Sequence, residues 1–164
     1  MAEKHFNLDV GGQHTLIDEA DRHLLGSLTW RLVVRKRKSY VVSGTTRAGK
    51  RLSFYLHRVI LGAAQGQVCD HINGDSLDNR RQNLRFVTVQ QNNWNARQKP
   101  SKHGNRFRGI STRSYGFASQ IRVDGKIRYL GTFRSDVEAA FAYDVASIEH
   151  HGEFGRRNFL PLVY

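Results

Sequence analysis

The side chains most capable of chemistry in this 164-residue chain fall in one stretch. Asp70 and His71 are adjacent, and Asn83 and Asn92 follow after a polar run. Hydrolysing a phosphodiester needs a water deprotonated beside phosphorus and charge stabilised on the leaving oxygen, a task commonly given to a divalent cation. An imidazole titrates near neutrality and suits the base. A carboxylate and an amide oxygen are hard donors that suit magnesium. Neighbouring strand residues point to opposite sides, so Asp70 and His71 can act together only where a strand ends, and the Asn73-Gly74 turn supplies that end. Asp70 and Asn92 can then clamp one metal while His71 addresses the water. Taken singly, His71 is an ordinary structural histidine, and Asp70 an ordinary surface carboxylate. Asp75, Asp78 and Asn79 are loop formers first, with Asp78 and Asn79 holding the loop through backbone hydrogen bonds.

Simple elements must position these groups. Val68 to His71 reads as a strand, Asn73 to Asn79 as a loop dense in turn residues, and Leu84 to Val87 as a second strand. Thr88 with Gln91 forms a capping box that opens a helix from about Val89 to Arg97. Upstream, residues 57–63 are apolar and predict a short helix. His57 is expected to be structural or to touch phosphate, and Cys69 to be a small buried side chain.

The run from Asp70-His71-Ile72-Asn73-Gly74-Asp75 through Leu77-Asp78-Asn79-Arg80-Arg81-Gln82-Asn83-Leu84-Arg85 resembles the HNH (ββα-metal) endonucleases, in particular their phage and intron homing-type members. His57-Arg58 upstream matches as well. The resemblance implies that His71 is the general base and that Asn83 orients its imidazole. It implies that Asn92 binds the metal with Asp70, the metal being Mg2+ or alternatively Mn2+. The last motif position is often histidine in the wider family; asparagine matches the homing-type branch.

Charge points the same way. The formal net charge is +12. Residues 25–58 carry nine basic and no acidic side chains and residues 96–135 carry ten basic and one acidic, whereas residues 59–95 balance at three and three. Two basic blocks around a neutral centre suggest two surfaces facing a polyanion, double-stranded DNA being the expected partner. The lone Cys69 excludes an intramolecular disulfide and a structural zinc held by several thiolates. Neither a signal peptide nor a membrane span is visible. The expected location is the cytoplasm, that of a bacterial host if the gene is phage-borne. No obligate protein partner is evident, and a monomer is expected.

Residues 6–56 read as short strands (Leu28–Val34, Ser39–Val42, Arg51–Leu56), with one short helix over 17–25. Gly44 to Lys50 has the glycine and lysine spacing of a phosphate-binding P-loop. Arg51 stands where the metal-binding hydroxyl belongs, and a strand pattern follows instead of a helix, so a basic hairpin tip is the better assignment. Residues 96–106 lack apolar periodicity and read as a basic linker.

Beyond it, Arg108 to Arg113, Phe117 to Val123 and Lys126 to Thr132 read as three strands, the last two joined at Asp124-Gly125. A helix opens at the Ser135/Glu138 capping box. Val137, Phe141, Val145 and Ile148 recur at helical spacing and are expected to pack on the sheet. Phe107-Arg108-Gly109-Ile110, Gln120-Ile121-Arg122, Tyr129-Leu130-Gly131-Thr132-Phe133, the run from Glu138 to Ala146, and Asn158-Phe159 resemble the AP2 DNA-binding domain. That family lays its sheet in the major groove. The resemblance implies that Arg108, Arg113, Gln120, Arg122 and Tyr129 contact DNA. A two-residue turn puts Ile127 and Tyr129 on the outer face and Arg128 on the inner; a bulge reverses this, and the sequence leaves both open.

The expected architecture is α+β. A β-rich N-terminal segment with the ββα-metal (HNH) nuclease core occupies residues 1–95, the core being about 57–95. The linker follows over 96–106, and an AP2-like three-stranded antiparallel sheet packed on one helix fills 107–164. The expected function is metal-dependent cleavage of double-stranded DNA. The alternatives are a sequence-specific DNA-binding regulator whose nuclease half is inactive and a basic RNA-binding protein.

Overall fold

A computed structural model describes residues 5–26, 28–36, 38–96 and 106–159 of the chain. It divides into two compact units, Met1–Asn92 and Asn93–Tyr164. Of the expected linker, residues 97–105 lie outside the described residues.

The N-terminal unit opens with an antiparallel hairpin of β1 (His5–Asp9) and β2 (His14–Asp18). The short helix expected over 17–25 is instead the end of this hairpin and a 3-10 segment, Glu19–Leu25. Ile17 is fully buried opposite Phe6, so the strand runs on to Asp18. Only seven residues then remain before Gly26 closes the segment with φ 51.

A three-stranded antiparallel sheet follows, ordered β3 (Arg31–Arg35), β4 (Lys38–Arg47), β5 (Lys50–Tyr55). The P-loop-like segment is the tip of the β4–β5 hairpin: Ala48 and Gly49 have φ 49 and 71, the left-handed pair of a two-residue turn. Leu52 and Phe54 alternate as a strand should but stay exposed. Leu56, expected to end this strand, instead starts helix α1 (Leu56–Leu61). Val10, Ile17, Val41, Leu56, Ile60 and Leu84 form the core of this unit. Ile17, Leu56 and Ile60, no more than 2% exposed, each contribute about 2 kcal/mol by leaving water. Strands β6 (Val68–His71) and β7 (Leu84–Val87) pair antiparallel, and α2 (Val89–Asn95) follows. Its capping box is reciprocal, Thr88 N–H donating to Gln91 Oε1 at 2.8 Å and Gln91 N–H to Thr88 Oγ1 at 3.1 Å.

The C-terminal unit is an antiparallel sheet in the order β10 (Lys126–Phe133), β9 (Gly116–Val123), β8 (Ile110–Arg113), packed on helix α3 (Asp136–His151). The helix packs by a different face from the one its spacing suggests. Ala139, Ala140, Tyr143 and Ala146 are buried against Ile110, Ile121 and Val123. Val137, Phe141, Val145 and Ile148 are 37%, 54%, 64% and 51% exposed. Alanines let the helix axis approach the sheet closely, which a stripe of branched and aromatic side chains would prevent. No helix among the described residues is long and apolar enough to cross a membrane.

Candidate active site

The β6–β7 hairpin carries the site. Strand β6 ends at His71, and the next residue turns away: Ile72 N–H donates to Asn83 O at 2.9 Å and Gly74 N–H to His71 O at 2.8 Å. Within loop 72–83, polar side chains bond to one another and to the loop backbone. Asn73 Oδ1 accepts from Asp75 N–H and from Asn83 Nδ2, and Asn73 Nδ2 donates to Asp78 Oδ2 at 2.9 Å. Arg80 grips both oxygens of Asp78 at 2.7 Å, and this contact, first among several, holds the Asp78 carboxyl below the usual range. Ser76 Oγ donates to Ser39 O at 2.6 Å and ties the loop to β4.

Asp70 and His71 are 7% and 6% exposed. Asp70 lies across the hairpin from Arg85, whose Nη2 and Nε reach Asp70 Oδ2 at 3.2 and 3.3 Å. These distances are longer than a tight charge-assisted pair. Burial lowers the pKa of His71, followed by the opposing hydrogen bond to Asn79, then Lys38, with Asp70 and Asp75 acting to raise it. The imidazole is thereby kept neutral around neutrality, the form in which it accepts a proton.

His57 on α1 packs edge-on to His71 with ring centroids 4.9 Å apart, flanked by Tyr40 and Tyr55. It is 9% exposed and packs among the three rings. Burial, with smaller contributions from His71 and Arg58, lowers its pKa from 6.5 to about 3. Its effect on stability follows. Above about pH 6.5 neither the folded nor the unfolded chain protonates this ring, and its packing is fully retained. As pH falls from 6.5 toward 3 the unfolded chain takes a proton the folded chain refuses, and stability drops. Urea midpoints should therefore fall from pH 7 to pH 4, with a shallower slope in His57→Phe. An unchanged slope in that variant would remove His57 as a source.

The imidazole's amide partner differs from the expected one. Asn83, expected to orient His71, turns both ends of its amide into the loop: Oδ1 accepts from Asn73 N–H at 3.0 Å, and Nδ2 donates to Asn73 Oδ1 and to Asp78 O. It stands in a 3-10 turn, Arg81–Asn83, which aims its side chain back across the loop. The amide at the imidazole is Asn79, whose Oδ1 lies 3.2 Å from His71 Nε2. Asn79 is 1% exposed, and its Nδ2 donates to Thr15 Oγ1 of β2 at 2.7 Å. Nothing in the sequence signalled Thr15, which is 64 residues from Asn79. Arg85 was legible in principle, because pairing His71 with Leu84 places Arg85 opposite Asp70.

Asn92 is half-buried in α2, its N–H bonded to Thr88 O at 3.0 Å. Among the described residues no three His, Cys, Asp or Glu side chains gather as a metal cluster. The expected donor set, one carboxylate and one amide oxygen, is hard and suits a divalent cation that keeps several waters of its own.

In the C-terminal unit, Gln120 pairs with Tyr129 and Arg122 with Ile127, all exposed on the face away from α3. Arg113, at the end of β8, lines a shallow groove with Tyr115, Tyr129 and Thr132. Arg128 pairs with buried Ile121, and the bulge comes only between Tyr129 and Gly131, so Arg128 belongs to the helix side of the sheet. Arg108 does not join the outer face. Its Nε donates to Tyr143 Oη at 2.7 Å, and its Nη1 and Nη2 to the carbonyls of Ala96 and Asn93. Gly109 turns the chain there with φ 77, and Asn158 Oδ1 accepts from Arg108 N–H, which carries the guanidinium inward.

No solved structure significantly matches the chain. Residues 54–94 match a family model described as HNH endonuclease. That segment runs from the end of β5 through α1 and the β6–β7 hairpin into α2, and it contains Asp70, His71, Asn79, Asn83 and Asn92. The match of residues 54–94 to an HNH endonuclease model points to a nuclease acting on DNA.

Proposed function

We propose that the chain is a metal-dependent endonuclease cutting double-stranded DNA, of the homing or phage HNH type, working as a monomer and positioned by an AP2-like C-terminal unit. The observation that carries this is the buried, neutral imidazole of His71 beside the buried carboxylate of Asp70 at the end of β6. His71 takes the proton of the attacking water. Asp70 and Asn92 would hold a divalent cation, Mg2+ foremost with Mn2+ a substitute. When bound, the cation offsets charge on the phosphate and on the departing oxygen. Arg85 balances Asp70 from across the hairpin, and Asn79 holds the imidazole.

Affinity comes from elsewhere, because residues 59–95 are neutral in sum. Arg113, Gln120, Arg122 and Tyr129 present the DNA-facing surface, with Arg and Gln able to read base edges. A defined duplex should be cleaved with Mg2+ and left intact with a chelator, and mapping both strands distinguishes a nick from a double-strand break. One observation favours the second reading, a DNA-binding regulator whose nuclease half is inactive: the guanidinium of Arg85 lies against Asp70. Binding without any Mg2+-dependent cleavage would establish that reading.

A further inference from the structure

A chain of hydrogen bonds leads from the imidazole to the N-terminal hairpin, outside the segment that matches the HNH model. Its direction follows from counting protons. Leu77 O is a carbonyl and only accepts. Thr15 Oγ1 donates to it at 2.6 Å, and this uses the hydroxyl's single proton. Toward Asn79, Thr15 can therefore only accept, so the NH2 end of the Asn79 amide must face it, at 2.7 Å. The carbonyl end of that amide then faces His71 Nε2 at 3.2 Å. A carbonyl cannot donate, so Nε2 must carry the proton of the neutral ring, and the basic lone pair resides on Nδ1.

Each intermediate is walled in: Thr15 is 0% and Asn79 1% exposed, so water does not stand in for a missing partner. The hairpin itself is fastened to the loop by further bonds. Leu16 N–H donates to Leu77 O and Asn79 N–H to Leu16 O, and in the 3-10 segment that follows the hairpin Asp21 pairs with Arg81 at 2.8 Å.

We propose that Thr15 is a positioning residue: through Asn79 it fixes the His71 tautomer with Nε2 protonated and Nδ1 as the base. This rests on the assignment of His71 as the base. Without the Thr15 hydroxyl, the Asn79 amide has no reason to keep its present orientation. Flipped, it offers N–H to Nε2 and stabilises the tautomer whose Nδ1 cannot accept a proton.

The test combines nitrogen-15 NMR of the imidazole, at a pH where it is neutral, with steady-state cleavage of a defined duplex in Mg2+. In the wild-type full-length chain the proton should be on Nε2. In Thr15→Val it should shift wholly or partly to Nδ1, with kcat lower by roughly ten- to hundredfold and KM little changed. Thr15→Ser, which keeps the hydroxyl, should restore both. A proton on Nδ1 in the wild type overturns the proposal, and this measurement stands even if Thr15→Val does not fold. An unmoved tautomer in folded Thr15→Val overturns it too. A shifted tautomer with unchanged kcat upholds the tether and removes His71 from the role of base.

Discussion

His71→Ala lowers kcat for duplex cleavage by roughly a thousandfold, the range of a lost general base, and leaves affinity for the duplex nearly unchanged. Affinity survives because the ring is 6% exposed and the basic blocks, residues 25–58 and 96–135, lie outside the β6–β7 hairpin that carries it. The substitution has a structural cost. It removes the donor from Asn79 Oδ1 and the edge-on neighbour of His57. An unsatisfied buried acceptor costs about 1–3 kcal/mol, so the variant's folding must be verified by circular dichroism before its kinetics are read. Cleavage at the normal rate by a folded His71→Ala protein would eliminate this imidazole as the base.

Gly109→Ala removes the C-terminal unit's stability by roughly 3 kcal/mol or more, since overpacking and a strained φ act together. Gly109 has φ +77, and a Cβ there would overlap ring atoms of Tyr143 and stand 2.7 Å from Gln120 O. None of these can give way cheaply. Tyr143 is 4% exposed in the core and accepts from Arg108 through its hydroxyl. Gln120 N–H donates back to Gly109 O at 2.9 Å and locks the approach. Thermal unfolding of the variant should show this unit melting first. Duplex affinity should fall with it, and the salt dependence of binding should weaken. A wild-type melting profile would mean that the close approach at Gly109 does not exist in solution.

What the sequence made visible depended on how local the governing physics was. The two capping boxes and the left-handed Asp124-Gly125 turn are short-range devices, and each was readable from residues a few positions apart. The packing face of α3 was not. Hydrophobicity alone selects Val137, Phe141, Val145 and Ile148, but close approach to a flat sheet selects Ala139, Ala140 and Ala146. The two loop asparagines show the same limit. Asn79 and Asn83 are four positions apart in one polar run, and only the three-dimensional course of the 3-10 turn sends Asn83 into the loop and leaves Asn79 at the imidazole. Arg108 read as one basic residue among several on a strand; Gly109 and Asn158 turn it inward from positions one and fifty residues away.

The contacts that brace loop 72–83 join parts of the chain synthesised far apart. Thr15 to Leu77, Thr15 to Asn79 and Asp21 to Arg81 span 62, 64 and 60 residues. Closing such distances is entropically slow, and contacts of this kind form late in folding. Ordering of the loop is thus a late event within the N-terminal unit: Thr15 and Asp21 are synthesised first and stay without these partners until residues 77–81 have emerged from the ribosome.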